Sequence, residues 1–323
     1  MSKKINNKIL AIILVVLTAI FMITNYLKDN QRSTHIDTNL IMIDTNIVSH
    51  ISIYPKSGNK EKVIFTKQTY GWEVESNNIK SSLRKGSLAN ILSELAKMKI
   101  KRLVAKTEEK WEKYQLTQEL ATHLTVEEKG NGKTLDIYIG KTKYQQPSKV
   151  YNQFGGRQQF TGSTFVRLGD SPKIYEINGF LSMTFNRDFN SWRNNEFITT
   201  KKENITQINL QNNGYSFSLT KNDSLWIINN EVVDSTKIAQ YLNLLANQQN
   251  TAFADNYKQK EVPDYILTIT SKNMNTITVN CFEDTLSNNY YLESSLNPNV
   301  FFRSDSKGIF KELFVDIDYF IEK

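Results

Sequence analysis

The sequence predicts an α+β protein in which one N-terminal transmembrane helix precedes two tandem copies of an antiparallel sheet with a packed helix. Three observations predict this: an uncharged apolar run near the start, many short stretches of alternating apolar and polar residues, and a recurring order of those stretches. Five segments follow: a basic cytoplasmic tail at 1–8, an anchor at 9–27, a linker at 28–46, a first α+β repeat at 47–200 and a second at 201–323.

From Ile9 to Leu27 the chain reads ILAIILVVLTAIFMITNYL, with no charge, proline or glycine. A helix of this length, at ~1.5 Å rise per residue, comes close to a hydrocarbon core of ~30 Å, so the segment is long enough to span a bilayer. Its large apolar side chains favour insertion by about 4 to 7 kcal/mol. Lys3, Lys4 and Lys8 precede it, whereas Lys28, Asp29 and Arg32 nearly cancel behind it. The positive-inside rule therefore places the N-terminus in the cytoplasm and the bulk outside, as a single-pass protein of the inner membrane. A cleaved signal peptide would need small residues before the cleavage point, and ITNYLKDNQ has no such pattern. Lipidation would need a cysteine just after the apolar run, and the one cysteine is Cys281.

That single cysteine excludes an internal disulfide. In ITVNCF, Ile277, Val279 and Cys281 alternate onto one strand face, which predicts a buried structural thiol. The net charge of +7 includes the three cytoplasmic lysines, leaving about +4 outside. Those remaining cations mix with acids, as in KKEN and TEEKWEK, so no basic stripe for nucleic acid forms.

The repeat begins with VSHISIYP, KVIFTK and GWEVES in the first half, followed by the helical LANILSELAKM. The second half gives ITQINLQ, YSFSLTK and LWIIN, then STKIAQYLNLLA. HLTVEEKGNGKTLDIYIG parallels YILTITSKNMNTITVNCF, and TFVRLGDSPKIYEI is matched to VFFRSDSKGIFKEL. The offset between matched positions shrinks along the chain, as shorter connections in the second copy require. Asn131-Gly132 and Asn213-Gly214 are hairpin signals. Leu88, Ile91, Leu92 and Leu95 form a helical stripe, repeated by Ile238, Tyr241, Leu242 and Leu245, with Asp234 or Ser235 as N-cap. Residues 106–118 predict a short helix in the first copy alone.

No metal, cofactor or catalytic site is expected, and the chain reads as a non-enzyme. His35, His50 and His123 are far apart, and no phosphate-binding glycine loop, G-x-S-x-G or H-E-x-x-H occurs. Two segments remain. The glutamine-rich stretch from Tyr144 to Thr164 carries Gly155, Gly156 and Arg157 and is either a binding loop or a plain surface connection. In NRDFNSWRN, the residues Arg187, Asp188, Trp192 and Arg193 lie in a predicted short helical stretch between the copies, as a clamp or partner contact. Most aromatics, including Trp72, Trp226, Phe217 and Tyr138, fall in strand patterns and read as core.

The anchor, the G-W-x-V strand end at Gly71 to Val74, the L-T-V strand, the T-L-x-I-x-I-G-K segment at Thr134 to Lys141 and the R-D-x-x-x-W-R stretch at Arg187 to Arg193 together resemble a bacterial family, domain of unknown function 4340. The resemblance covers most of the region after the anchor. It implies a membrane-anchored extracytoplasmic protein that serves as an accessory or scaffold beside an ATP-binding-cassette transporter, including relatives of gliding-motility components. It supplies no catalytic residues. Trp192 stands where leucine is common, and the insertion before Phe165 is longer than usual. An envelope module for cell-wall glycan or peptide is the competing reading, and a hydrolase with an unrecognised site a third.

Overall fold

The computed structural model describes residues 13–24, 41–56, 60–130, 132–145, 161–212, 214–246 and 248–321. Residues 13–24 form helix α1. Strands β1 (Val48–Tyr54), β2 (Val63–Gln68), β3 (Gly71–Ser76) and β4 (Ile79–Ser82) lead to helix α2 (Ser87–Lys97) and β5 (Ile100–Ala105). After α3 (Trp111–Tyr114) come β6 (Thr122–Glu128), β7 (Thr134–Gln145), β8 (Thr161–Leu168), β9 (Ile174–Asn178) and α4 (Leu181–Phe185). These strands make one sheet in the order β4-β3-β2-β1-β6-β7-β8-β9-β5, with every pairing antiparallel.

The second sheet is built from β11 (Ile205–Asn212), β12 (Ser216–Asn222), β13 (Leu225–Ile228), β14 (Glu231–Val232), β16 (Tyr265–Ser271), β17 (Ile277–Asp284), β18 (Asn289–Ser294) and β19 (Phe301–Asp305). Its order, β14-β13-β12-β11-β16-β17-β18-β19, repeats that of the first sheet up to the last strand. Helix α5 (Ser235–Leu245) follows β14 as α2 follows β4, and α6 (Ile309–Leu313) and α7 (Asp318–Ile321) follow β19. Two further strands, β10 (Glu196–Ile198) and β15 (Gln248–Gln249), pair with each other as a separate ribbon. The α+β class is what the structure shows.

Alternation explains the faces. Ile51, Ile53, Phe65, Val74, Leu124, Val126 and Ile137 point inward and meet Ile91 and Leu95 of α2 in the first core. Ile208, Leu210, Leu219, Leu267 and Val279 do the same against Ile238, Tyr241 and Leu245 of α5. The Asp234 carboxylate caps α5 by accepting from the Thr236 and Lys237 amides at 2.9 and 2.8 Å. Helix α2 has no side-chain cap and starts from Gly86 at φ +82°. Cys281 is fully buried in the second core, and burial pushes its thiol pKa up.

Hairpin geometry repeats as well. Asn77 and Asn78 have φ of +49° and +65°, and Asn229 and Asn230 have +48° and +68°. Positive φ at both central residues is the primed turn that suits twisted strands, and asparagine adopts it readily. Gly132 and Gly214 sit in the β6–β7 and β11–β12 turns, while Asn131 and Asn213 lie outside the described residues.

One expected match is corrected. Val166 of β8 pairs with Ile139, and Leu292 of β18 pairs with Cys281 in the corresponding place. Tyr175 of β9 thus corresponds to Phe302 of β19, one strand away from the segment match expected above. The offset drops from 142 at Ile139 and Cys281 to 126 at Val166 and Leu292, because the long connection at 146–160 is replaced by a short turn after Asp284. Phe253 bridges Phe302 as Leu103 pairs with Tyr175, so a single bridge stands where the first sheet has β5.

Glu176 of β9 is a buried carboxylate at 2% exposure. Burial alone would raise its pKa, but Ser163 Oγ and Arg102 Nε, each at 2.6 Å, and Lys101 Nζ at 3.5 Å outweigh that and hold it below the usual carboxylate value. With the folded pKa depressed, this stabilisation is complete above the ordinary glutamate value, ~4.3, and is lost as pH falls through the lower folded value. Glu176→Gln is expected to cost about 1–2 kcal/mol at pH 7. Its unfolding midpoint should also vary less than wild type below pH ~4.3; equal pH profiles would show that Glu176 contributes nothing.

Candidate functional site

The stretch Asn186–Asn194 follows α4, and the short helical stretch expected there is limited to three residues. Asp188 is extended and accepts from Ser191 N at 3.0 Å and Ser191 Oγ at 2.6 Å, which closes a three-residue 3-10 turn at Phe189–Ser191. Trp192 ends the turn with a helical backbone (φ −105°, ψ −28°), and Arg193 then bridges Leu83. Trp192 enters the first core at 1% exposure, edge-on to Phe65 with ring centroids 5.4 Å apart. Arg193, at 2% exposure, faces the second half and pairs with Asp255 Oδ2 at 2.8 Å. Its guanidinium lies 3.9 Å from the Phe253 ring and 4.9 Å from that of Phe189.

Backbone bonds stitch the same strap to both sheets. Trp192 O accepts from Arg84 N and Ser82 O accepts from Asn194 N, each at 2.8 Å, which prolongs the pairing at β4. On the other side Asn297 Nδ2 donates to Asn194 O at 2.9 Å, Asn250 N donates to Asn195 O at 3.1 Å, and β10 pairs with β15. Phe197 and Ile198 are fully buried in the second core.

Of the four residues singled out in this stretch, Arg193 alone reaches the second half. Arg187 stays local, donating to Met183 O at 2.9 Å. The partners Phe253, Asp255 and Asn297 were missed because they lie far downstream with nothing in their local sequence to mark them. Gly155, Gly156 and Arg157 lie outside the described residues.

A second constellation crosses the outer face of the first sheet. Register places Tyr54 beside His123, His123 beside Tyr138 and Tyr138 beside Arg167. His123 stacks on Tyr138 at 4.2 Å and on Tyr54 at 5.7 Å. The Arg167 guanidinium is held between Tyr138 at 3.4 Å and Trp111 at 4.1 Å, and Arg167 Nε donates to Leu116 O at 2.8 Å. His123 Nε2 is 2.7 Å from Asp136 Oδ1. Tyr54, His123 and Tyr138 line a groove of about 620 Å³ with Gln118, Glu119 and Lys60 on its rim. Tyr138 therefore stands outside the main core that its strand pattern suggested. Pairwise strand order, not composition, would have revealed the rung.

His50 is spent between Ser52 Oγ at 3.2 Å and Thr66 Oγ1 at 3.5 Å. Among the described residues no group of three or more His, Cys, Asp or Glu could hold a metal ion.

The sequence model of the family described as domain of unknown function (DUF4340) matches residues 72–268, more than half of the chain. The chain belongs to this family. The matched span of this DUF4340 protein takes in the strap at 186–198 and, apart from Tyr54, the whole aromatic rung. No curated protein and no solved structure matches the chain.

Proposed function

We propose that this DUF4340 protein is a membrane-tethered accessory subunit. Residues 9–27 hold it in the cytoplasmic membrane with the N-terminus inside, and its two-sheet body, a tandem duplication, works outside the cytosol beside an ATP-binding-cassette transport complex. Helix α1 is the observation that carries the reading. Its apolar side chains are exposed on all sides, from 50% at Val16 to 72% at Met22. An all-round apolar helix suits hydrocarbon, not water. Among the described residues no helix is long and apolar enough to cross a membrane, since only 13–24 of the apolar run are described.

The duplication is supported by the shared strand order, the paired Asn-Asn turns and the place of α2 and α5. A scaffold role is supported by the strap, which joins both sheets through Arg193 and its neighbours. Protease added to intact spheroplasts is expected to digest the body while leaving a short N-terminal fragment in the membrane. A protected body, or a mature chain starting after Tyr26, would refute the tether. Purification in mild detergent should recover transporter subunits; repeated isolation of the protein alone would refute the accessory role.

A further inference from the structure

The two sheets offer an internal comparison, because their registers match strand by strand. On the outer face of the first sheet, Glu73, Glu127 and Asp136 stand opposite Thr66, His50 and Thr125. The second sheet has Ile227, Thr270 and Thr278 at the corresponding places, opposite Thr220, Gln207 and Thr268. Its outward face over β11, β12, β13, β16 and β17 as far as Asn280 carries no charged side chain, and charge returns only on the next strands, with Glu293 opposite Asn280 and Arg303 opposite Tyr291. Amide and hydroxyl groups fill the centre, with Gln207, Asn209, Ser218 and Thr268 all partly exposed. Open sheet faces ordinarily carry charge against unwanted association, and the first sheet does so. Fold therefore does not account for the difference.

Composition selects the occupant. Nucleic acids and acidic polymers need lysine or arginine, and this five-strand patch has neither. A stable protein interface needs roughly 800 Å² per partner with aromatic or arginine anchors at its centre. Five strands ~4.8 Å apart, with outward residues ~6.8 Å apart, present only about 400–500 Å², and Tyr257, packed on Phe282, Tyr291 and Phe301, bounds the patch on the side of β18. Serine, threonine, asparagine and glutamine each donate and accept, which matches a polymer whose uncharged hydroxyls do both. The array is also pre-set, since Gln207 Nε2 donates to Asn209 Oδ1 at 3.0 Å and Ser218 Oγ at 3.1 Å. Along one margin Leu225 and Val232, 53% and 61% exposed, offer apolar contact for the C–H faces of sugar rings.

We infer that this uncharged patch on the outer face of the second sheet binds a neutral glycan. The inference does not depend on the tether or on a transporter partner. The test uses full-length protein in a detergent without a sugar headgroup, run in native gels containing dextran, soluble hydroxyethyl cellulose or glycol chitin, with alginate as the charged control. Retardation by at least one neutral polymer and none by alginate is expected. Thr268→Asp, at the centre of the face, should weaken retardation at least tenfold, whereas Thr125→Asp, its counterpart in the first sheet, should leave it unchanged; matching circular dichroism and melting curves establish that both variants fold. Absence of retardation by every neutral polymer would overturn the inference, as would equal loss in both variants. So would a dimer in sedimentation that Thr268→Asp dissolves, because the occupant would then be a second copy.

Discussion

Arg193→Met is expected to lower stability by about 3 kcal/mol, because it strips the partner from Asp255 and removes the cation from between two phenyl rings. Asp255 keeps some solvent contact, with 27% of its side chain exposed, so the loss should sit at the low end for a buried pair. Mode of unfolding matters more than midpoint here. With the strap intact, the two sheets should unfold together in urea. The variant should separate them, so that fluorescence, weighted to the first half by Trp72, Trp111 and Trp192, no longer coincides with circular dichroism. Arg193→Lys retains the charge but not the planar group that lies on Phe253, and should fall between. Coincident transitions with an unchanged midpoint in Arg193→Met would remove the strap from any coupling role.

Trp192→Ala should be costlier, about 4 kcal/mol, since the indole is 1% exposed and packs edge-on to Phe65 among aliphatic neighbours. The loss belongs to the first core, so the fluorescence-detected transition should shift while the Arg193–Asp255 pair still links the sheets. A loss below about 1 kcal/mol would mean that the cavity collapses without penalty, contrary to the packing described. Trp192→Leu is expected to recover most of the stability, because it refills much of the volume with an apolar group.

Legibility followed the range of the physics involved. Ile91 and Leu95, Tyr241 and Leu245, and the alternating strands could be read because a helix or strand writes its buried face at a fixed local spacing. The Asp234 cap was likewise a local signal. The segment at 186–194 is helical only in the turn Phe189–Ser191 that Asp188 closes, and Arg193 then bridges Leu83, a partner that local spacing does not show. Register was the other obstacle. The connection at 146–160 displaces all later correspondences, and similar stretches around Val166 and Phe302 invited a match one strand out of place. Arg167 could not be foreseen as a cation held between Trp111 and Tyr138, since that arrangement needs three separate strands or turns to meet.

The two cores close at very different points of the chain. The first sheet has all its strands once residue 178 has been made, whereas the second core takes Leu313 from α6 and Phe320 from α7, and Tyr241 donates its phenolic proton to Leu313 O at 2.6 Å. Biosynthesis consequently leaves the second core unfilled until residue 320 has been made. A stop codon ahead of Phe320 would leave every strand of the first sheet in place and still deprive the second core of that ring.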